Sequence, residues 1–295
     1  MRYDISLQMT FVYQAAAVNA RQIVHLMPAD RPGRQRLIAG NLSFTPLPTR
    51  REDRFDFFGN AETAVALDGA VKTVDIHLQA RVDVIGNAFP EGLPTPPDAL
   101  AGTIADWRDL GPSSPVHFCA PTLRTPADPD IAAYARQATA GNDNIAARVE
   151  ALGLALHRDM RFDPNATTVD TSAAEALAER HGVCQDFTHI MISGLRSLGI
   201  PAGYVSGFIR TIPPPGQPRL EGADAMHAWV SAWCGPHVGW VEYDPTNATF
   251  AGPDHVVVAY GRDYGEVAPV KGIMRTAGGQ TSDQAVDVIP LGATG

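Results

Sequence analysis

The chain has 295 residues and a formal net charge of −9 at pH 7, and it is 45% hydrophobic and 19% charged. It can bury a large core and exceeds the usual size of one domain, so we expect two domains. The negative charge without a basic run argues against nucleic acid or an anionic membrane as a partner, and no apolar run approaches the roughly 20 residues of a membrane span.

The N-terminus and the cysteines bear on the cellular compartment. Residues 1–4 lead directly into an alternating strand and lack the pattern of a signal peptide. Cys119, Cys184 and Cys234 are odd in number and far apart in the sequence, which argues against a disulfide framework. We therefore expect a cytoplasmic protein with reduced thiols.

The N-terminal third has the pattern of antiparallel strands. From residue 3 to residue 11, apolar side chains alternate with polar ones, which predicts a half-buried strand. Further strand-like runs follow, separated by glycine and proline turns, at residues 22–26, 35–44, 54–58, 63–67 and 71–84. Many short strands with such turns predict an antiparallel, β-sandwich-like domain over residues 1–90.

The pattern changes after a proline-rich stretch at residues 90–97. It marks the start of a connecting segment, residues 91–125. Helical patterns with Asp or Asn near their starts then appear at residues 98–110, 128–139 and 144–157, and Ser172 and Glu175 form the capping-box pattern of a short helix. We expect a mixed core over residues 126–272 and a C-terminal tail over residues 273–295. A loop rich in proline and glycine, residues 211–223, is a candidate substrate lid.

The residues that follow Cys184 predict a helix with one buried face. Apolar side chains recur there at three- and four-residue steps through Leu198, and Gly199 and Pro201 end the run. Cys184 therefore lies at a helix N-terminus, where unpaired backbone N–H groups favour thiolate over thiol. A lone cysteine beside a helix is more often a small buried apolar residue, so a nucleophile needs partners from elsewhere in the chain.

Those partners are predicted in a hairpin. Residues 227–233 and 240–244 alternate as strands do, and the segment between them breaks the pattern. A turn centred on Gly235 and Pro236 would place His227 directly opposite Asp244, with Cβ atoms roughly 4.5 to 5.5 Å apart. In that register a carboxylate could hold an imidazole N–H.

Together the three side chains predict acyl transfer through a thioester. The Cys184 thiolate attacks an acyl carbon, His227 keeps the sulfur ionised and protonates the leaving group, and Asp244 orients the imidazole. The backbone N–H of Cys184 is a candidate oxyanion donor. Trp107 or Gln185 could supply a second donor, and the sequence does not select between them.

Several short motifs resemble those of the bacterial transglutaminase-like superfamily. They are GVCQD at 182–186, GIPA at 199–202, VSG at 205–207, HAW at 227–229, DPTN at 244–247, GRDY at 261–264 and DFFGN at 56–60. The resemblance implies an α+β protein with a papain-like core, in which the helix carrying the cysteine packs on an antiparallel sheet, after a β-rich N-terminal region. It also implies that Cys184 is the nucleophile, His227 the base and acid, and Asp244 the orienting carboxylate.

Other residues near the motifs have structural explanations. Asp186 is expected to accept hydrogen bonds from backbone N–H groups in the first helical turn, and Trp229 to pack in the hairpin and exclude water from the site. We expect His189 to be packed or exposed rather than catalytic. A zinc site built from the three cysteines and histidines lacks any C-x-x-C or H-E-x-x-H pair, so we expect no metal and no cofactor.

Three functions remain open at this stage. The first is a thiol peptidase or amidohydrolase, in which water resolves the thioester of a peptide or protein substrate. The second is a protein-glutamine transglutaminase, in which an amine resolves it. The third is a binding module that keeps the fold without catalysis. The resemblance to bacterial relatives favours hydrolysis.

Overall fold

The computed structural model describes residues 1–86, 95–164, 166–211, 222 and 224–292. Most of the predicted linker at residues 90–97 and nearly all of the candidate lid loop lie outside the described residues. Within them, no helix is long and apolar enough to cross a membrane.

The fold is α+β. The strands are β1 (Arg2–Val24), β2 (Gln35–Thr45), β3 (Arg50–Phe55), β4 (Ala61–Leu67), β5 (Val71–Val84), β6 (Arg161–Phe162), β7 (His181–Gly182), β8 (Ala202–Ile209), β9 (Ala225–Trp233), β10 (Trp240–Asp244), β11 (Thr249–Phe250), β12 (His255–Gly261), β13 (Val270–Arg275) and β14 (Gln280–Leu291). The helices are α1 (Pro97–Ala105), α2 (Pro129–Ala138), α3 (Ile145–Asp159), α4 (Ala173–Glu179), α5 (Cys184–Ser197) and α6 (Tyr264–Val267), with a short 3₁₀ helix at Pro115–Phe118.

The N-terminal sheet is organised around the long strand β1. The first half of β1 pairs with β5 and β14, and its second half pairs with β4 and β13, all antiparallel. Between the halves the register shifts near Asn19, whose φ of 52° lies in the left-handed region, as in a β-bulge. The bulge lets one strand belong to both halves of a curled antiparallel sheet, with β2 and β14 at the edges of one half and β3 and β13 at the edges of the other.

The last strands of the chain complete this N-terminal sheet. The segment predicted as a tail from residue 273 instead contributes the second half of β13 and all of β14, which pairs with β1 from Arg2 to Tyr13. Its sequence carries little sign of this, because only Val286 and Val288 of β14 are buried apolar residues. Two buried positions are too few for a periodicity argument.

The core packs helices on a second antiparallel sheet, with the strand order β11-β10-β9-β8-β12. Helix α5 is almost entirely buried and packs against β8 and β9, so the predicted arrangement of the cysteine helix on an antiparallel sheet is confirmed. The predicted helix starts are also present, because Asp128, Asn144 and Ser172 each cap a helix with their side chains. Helix α1 ends at Ala105, five residues before the predicted end.

The register of the β9–β10 hairpin differs from the prediction by two residues. Trp240 pairs with Trp233, and Tyr243 pairs with Val230, so the next residue, Asp244, lies opposite Trp229 rather than His227. The loop contains an additional turn, in which the Gly239 N–H donates to the Gly235 carbonyl, and this moves the centre of the hairpin. A two-residue shift keeps each side chain on its face of the sheet, so Asp244 and His227 remain diagonal neighbours.

The N-terminal sheet docks on the core through polar contacts to β10 and β12. The Gln35 side chain bonds the backbone of Val257 through both its amide atoms, and Asn60 does the same to Tyr260. Arg34 pairs with the buried Glu242 at 3.4 Å. Because these bonds satisfy backbone groups at fixed positions, they define how the two parts of the protein meet.

Candidate active site

Cys184 borders a cleft of about 450 Å³ between the core and the N-terminal sheet. The cysteine is the first residue of α5, and its thiol lies close enough to the His227 side chain to help raise the pKa of that imidazole. On the far side, the cleft is closed by Met9 and Phe11 of β1 and by residues 282–284 of β14. The nucleophile predicted from the sequence is therefore partly exposed, beside an imidazole, in a cavity that spans both parts of the protein.

His227 connects Cys184 to Asp244. Its Nε2 atom lies 2.7 Å from Asp244 Oδ2, and the ring is only 8% exposed. Since Nε2 is engaged by the carboxylate, Nδ1 is the nitrogen left to meet the sulfur. The three predicted catalytic side chains thus lie together, with Cys184 and His227 at the cleft and Asp244 behind the imidazole.

Asp244 is held by five hydrogen bonds. Besides His227, its Oδ2 atom accepts from Asn247 Nδ2 at 2.7 Å and from His255 Nε2 at 3.1 Å. Its Oδ1 atom accepts from the backbone N–H groups of Thr246 at 2.9 Å and of Asn247 at 3.1 Å. The fully buried carboxylate is therefore fixed in one orientation.

Sequence reasoning missed Asn247 and His255. Asn247 belongs to the DPTN motif, so its neighbourhood to Asp244 could have been found there. His255 lies on another strand, and nothing local points to it. Its Nδ1 accepts a hydrogen bond from the Gly252 N–H at 3.2 Å, so Nε2 carries the proton that it donates to Asp244.

The surroundings shift the ionisation of both triad partners. Burial by itself would lower the pKa of His227, but the hydrogen bonds to Asp244 and Cys184, with their charges, outweigh it and raise the pKa to about 10. Burial would likewise raise the pKa of Asp244, but the hydrogen bonds from His227 and His255 hold it well below its usual range. The pair therefore favours imidazolium and carboxylate.

Ligand atoms of His227, Asp244 and His255 lie within 4.8 Å of one another, so these side chains could hold a metal ion. Two imidazoles and a carboxylate are suitable zinc ligands. In this arrangement, however, both imidazole Nε2 atoms already bond the carboxylate, and an ion would replace those hydrogen bonds. The residues fit a hydrogen-bonded triad without rearrangement, and the absence of a metal remains a prediction.

Asp186 has the structural role expected of it. Its Oδ2 atom accepts from the Val183 N–H at 2.8 Å and from Thr167 Oγ1 at 2.6 Å. Burial raises the pKa of this carboxyl. The side chain holds the backbone that leads into Cys184 and does not border the cleft.

The two candidates for the second oxyanion donor lie in different places. Gln185 borders the cleft beside Cys184. The Trp107 ring instead packs on Trp233, 5.2 Å away and at the opposite end of β9 from His227. Six residues of strand correspond to about 20 Å, so the Trp107 alternative is corrected by the geometry.

The remaining residues singled out in the sequence are packed. Trp229 is fully buried, lies near the His227 ring and donates to Glu242 Oε2 at 2.8 Å. His189 is also buried, accepts from the Tyr264 N–H, and has a pKa lowered by burial to about 4. It is therefore a neutral packed residue, as expected.

Two further hydroxyl groups border the cleft. The phenols of Tyr204 and Tyr264 lie near Cys184, and burial is the main cause that raises the pKa of each. Both side chains therefore remain protonated donors. No sequence pattern marks either tyrosine as a donor.

Comparison with known proteins identifies both parts of the chain. Residues 3–83 match the bacterial transglutaminase-like N-terminal region, and residues 132–245 match the core of the transglutaminase-like superfamily. An uncharacterised protein of Mycobacterium tuberculosis is 33% identical over 299 residues, which cover 98% of this chain and 93% of that protein. An uncharacterised protein of Mycobacterium leprae is 30% identical over 288 residues, which cover 95% and 96%.

A solved structure supports the fold. The crystal structure of a proposed cysteine protease from Cytophaga hutchinsonii superposes with a TM-score of 0.77 at 22% identity, covering 98% of this chain and 90% of that one. At this identity the likeness concerns the fold, which is the papain-like α+β arrangement described above. The chain belongs to the transglutaminase-like superfamily, with the bacterial transglutaminase-like N-terminal region ahead of the family core.

Proposed function

We propose that the protein is a cysteine-dependent hydrolase that cleaves amide bonds of peptides or proteins through a thioester on Cys184. The observation that carries this proposal is that Cys184 and His227 border the same cleft, with His227 hydrogen-bonded to the buried Asp244 at 2.7 Å. Triads of this composition recur in acyl-transfer enzymes of unrelated folds, because each member supplies one necessary step.

The first half of the reaction forms the thioester. The Cys184 thiolate attacks the carbonyl carbon, and the carbonyl electron pair moves to oxygen. When the tetrahedral intermediate collapses, the C–N bond breaks, and the His227 imidazolium gives its Nδ1 proton to the leaving nitrogen. Asp244 keeps the ring oriented and stabilises its charge throughout.

The second half returns the enzyme to its starting state. Water attacks the thioester carbon and gives a proton to His227 as the C–S bond breaks, so the products are a carboxylic acid and an amine. The oxyanion of each step needs donors, and the Cys184 N–H at the start of α5 has no intrahelical acceptor. Gln185, or a hydroxyl of Tyr204 or Tyr264, can provide the second donor from the cleft wall.

Incubation of a peptide library with and without a primary amine tests this function, with products read by mass. Hydrolysis gives two fragments or a deamidated side chain whether or not amine is present, whereas a transglutaminase gives amine adducts. Cys184→Ala should abolish turnover and leave the melting temperature nearly unchanged, and Cys119→Ala is the control that should remain active. Turnover by Cys184→Ala, or a wild type that never forms the thioester, would overturn the proposal in favour of another nucleophile or a binding module.

A further inference from the structure

We propose that the substrate enters the cleft as an extended chain and is recognised through its main chain by two free strand edges. One edge belongs to β14 at Ser282 and Gln284, and the other belongs to β9 at Met226 and Ala228. This inference deepens the proposed function and rests on it, because it names the substrate class as an unfolded or extended peptide segment.

The cleft is bordered by strand edges rather than by sheet faces. Three consecutive residues of β9, 226–228, and three of β14, 282–284, line it. Because successive side chains of a strand point to opposite faces, a cavity beside a face would touch alternate residues only. Contact with consecutive residues means that the main chain of each strand borders the cavity.

The ladder of β14 shows which main-chain groups turn toward the cleft. Each residue of an antiparallel strand turns its N–H and C=O to the same side, and neighbouring residues turn to opposite sides. The Val286 carbonyl accepts from the Asp224 N–H at 3.2 Å, and the Val288 N–H donates to Asp224 Oδ2 at 2.6 Å, both on the side away from β1. Ser282 and Gln284 lie four and two residues before Val286 along the strand, so their main-chain groups also point away from β1.

Alternate residues of β9 likewise turn their main-chain groups to opposite sides of the strand. Trp233 donates its N–H to Pro201 on the β8 side, whereas Asp224 donates on the opposite side. Met226 and Ala228 lie two and four residues after Asp224, so their main-chain N–H and C=O groups also turn away from β8. Strand β10 pairs with β9 only from residue 230 onward. Among the residues that the structure describes, no main-chain partner reaches these four edge positions.

The two edges face each other around the catalytic groups. The two strands meet at a single antiparallel bridge between Asp224 and Val286. Because the strands run in opposite directions from this bridge, Met226 lies toward Gln284, and Ala228 lies toward Ser282. His227 lies between the two edge residues of β9, so a chain bound there passes beside the imidazole. Addition of a strand to a free sheet edge is an established mode of peptide recognition, in which main-chain bonds supply affinity.

The rest of the cleft suits the side chains of such a strand. Met9 and Phe11 form an apolar wall under β14, and Pro269 and Val270 form another. Among the described residues, Asp283 is the one carboxylate that lines the cavity, and no Lys or Arg does. Recognition through the main chain with apolar walls fits an extended segment with apolar side chains at alternate positions. It does not require a particular charged residue.

Proline substitution tests the edge directly. Ser282→Pro and Gln284→Pro each remove an N–H that faces the cleft and leave the bonds to β1 intact, since those come from the neighbouring residues. With fluorescein-labelled, denatured casein as the probe, we expect kcat/KM to fall about three- to tenfold for each variant, the value of one lost hydrogen bond. Ser282→Ala and Gln284→Ala keep the N–H and are the matched comparison, so each should lose clearly less activity than the proline variant at the same position.

Two additional measurements separate the possible failures. Alkylation of Cys184 by iodoacetamide reports the catalytic groups without a peptide and should proceed at the wild-type rate in all four variants. Anisotropy of the labelled casein on the Cys184→Ala background reports binding without turnover, and the proline substitutions should weaken it by the same factor. If the proline variants bind and cleave casein as well as the alanine controls do, the edge proposal is overturned while the hydrolase stands.

If wild-type protein binds casein at the edges but never acylates, the proposed function fails and the edge proposal survives as a binding site. Should a proline variant unfold, single N-methyl groups placed along a synthetic casein peptide decide the matter, with binding measured on the Cys184→Ala protein that keeps both strand edges. Methylation at alternate positions should weaken binding. Equal tolerance at every position would overturn the proposal.

Discussion

At the scale of single residues, Asp244 controls the ionisation of the site. Its depressed pKa means that its contribution to stability is present above the unfolded value near 3.8 and is lost as the pH falls through the folded pKa. The raised pKa of His227 has the opposite sign. Its contribution is fully present below 6.5 and is lost as the pH rises through about 10. The contribution of the pair to folding stability is therefore greatest between about pH 4 and 6.5, and it declines toward pH 10.

Asp244→Asn should lower the pH at which the enzyme loses activity in base. With the carboxylate removed, burial becomes the dominant influence on His227 and lowers its pKa, by about one to three units for the loss of a close opposite charge. The basic limb of the profile of kcat/KM against pH should shift from about pH 10 to a lower pH by that number of units. Asp254→Asn changes a carboxylate that accepts from Tyr3 and Arg210 instead, and it should leave the limb in place.

His255 acts on the reaction through Asp244, as a positioning residue. His255→Phe removes one donor from the carboxylate, so we expect kcat to fall about tenfold as Asp244 loses part of its fixed orientation. The remaining bond to His227 should strengthen, which moves the basic limb upward, opposite to the effect of Asp244→Asn. His255→Gln keeps an N–H donor and should recover most of the activity. If the pH profile of His255→Phe matched that of the wild type, His255 would have only a packing role.

At the scale of secondary structure, the start of α5 depends on a close fit between Gly182 and Asp186. A Cβ atom on Gly182 would lie 2.6 Å from Asp186 Oδ2 and 2.8 Å from its Cβ. No real Cβ comes so close, so only glycine allows Asp186 to reach back to the Val183 N–H. The position of the nucleophile is therefore determined two residues before it.

Gly182→Ala should displace Asp186 and loosen the first turn of α5. We expect a loss of about 2 to 3 kcal/mol in unfolding free energy, from the lost cap and the overpacking, and a slower alkylation of Cys184. Chemical denaturation and iodoacetamide kinetics measure the two effects. Gly102 lies in α1 with open space around its Cα, so Gly102→Ala is the matched control and should be neutral or slightly stabilising.

At the scale of the whole molecule, the chain closes on itself. Strand β14 pairs with β1 along most of its length, and together they form the wall of the cleft opposite Cys184. The site is therefore complete only when both ends of the chain have folded into one sheet. Pairing between such distant segments is slow to form, because loop closure precedes the contacts that stabilise it.

Val288→Ala tests whether the N-terminal sheet and the core unfold together. Val288 is fully buried in that sheet, and its truncation should cost about 2 kcal/mol. Three of the four tryptophans lie on the core strands β9 and β10, and Trp107 packs on Trp233, so tryptophan fluorescence reports unfolding of the core. Because Gln35, Asn60 and Arg34 bond across the interface, we expect this fluorescence transition to shift by the full amount. Ile289→Ala, at a 44% exposed neighbour, should shift it little, and a core transition unaffected by either would show independent units.

The sequence by itself determined the local elements and the identities of the proposed catalytic groups. Strand alternation, the apolar period after Cys184 and the cap residues depend on neighbours within a few positions, so they are legible without the fold. The same holds for the placement of Cys184 at a helix start and for the presence of His227 and Asp244 on adjacent strands, since a two-residue slip does not change the face.

Only the tertiary structure decided the contacts between distant segments. The hairpin register depended on an extra turn around Gly239, and the place of His255 beside Asp244 depended on how β12 lies in the sheet. The separation of Trp107 from Cys184 and the return of β14 to β1 were likewise matters of packing. In each case several long-range pairings are compatible with the same local sequence pattern. The pairing that forms is the one that buries the most apolar surface and satisfies the buried polar groups, and these quantities depend on the whole chain and not on a short stretch of it.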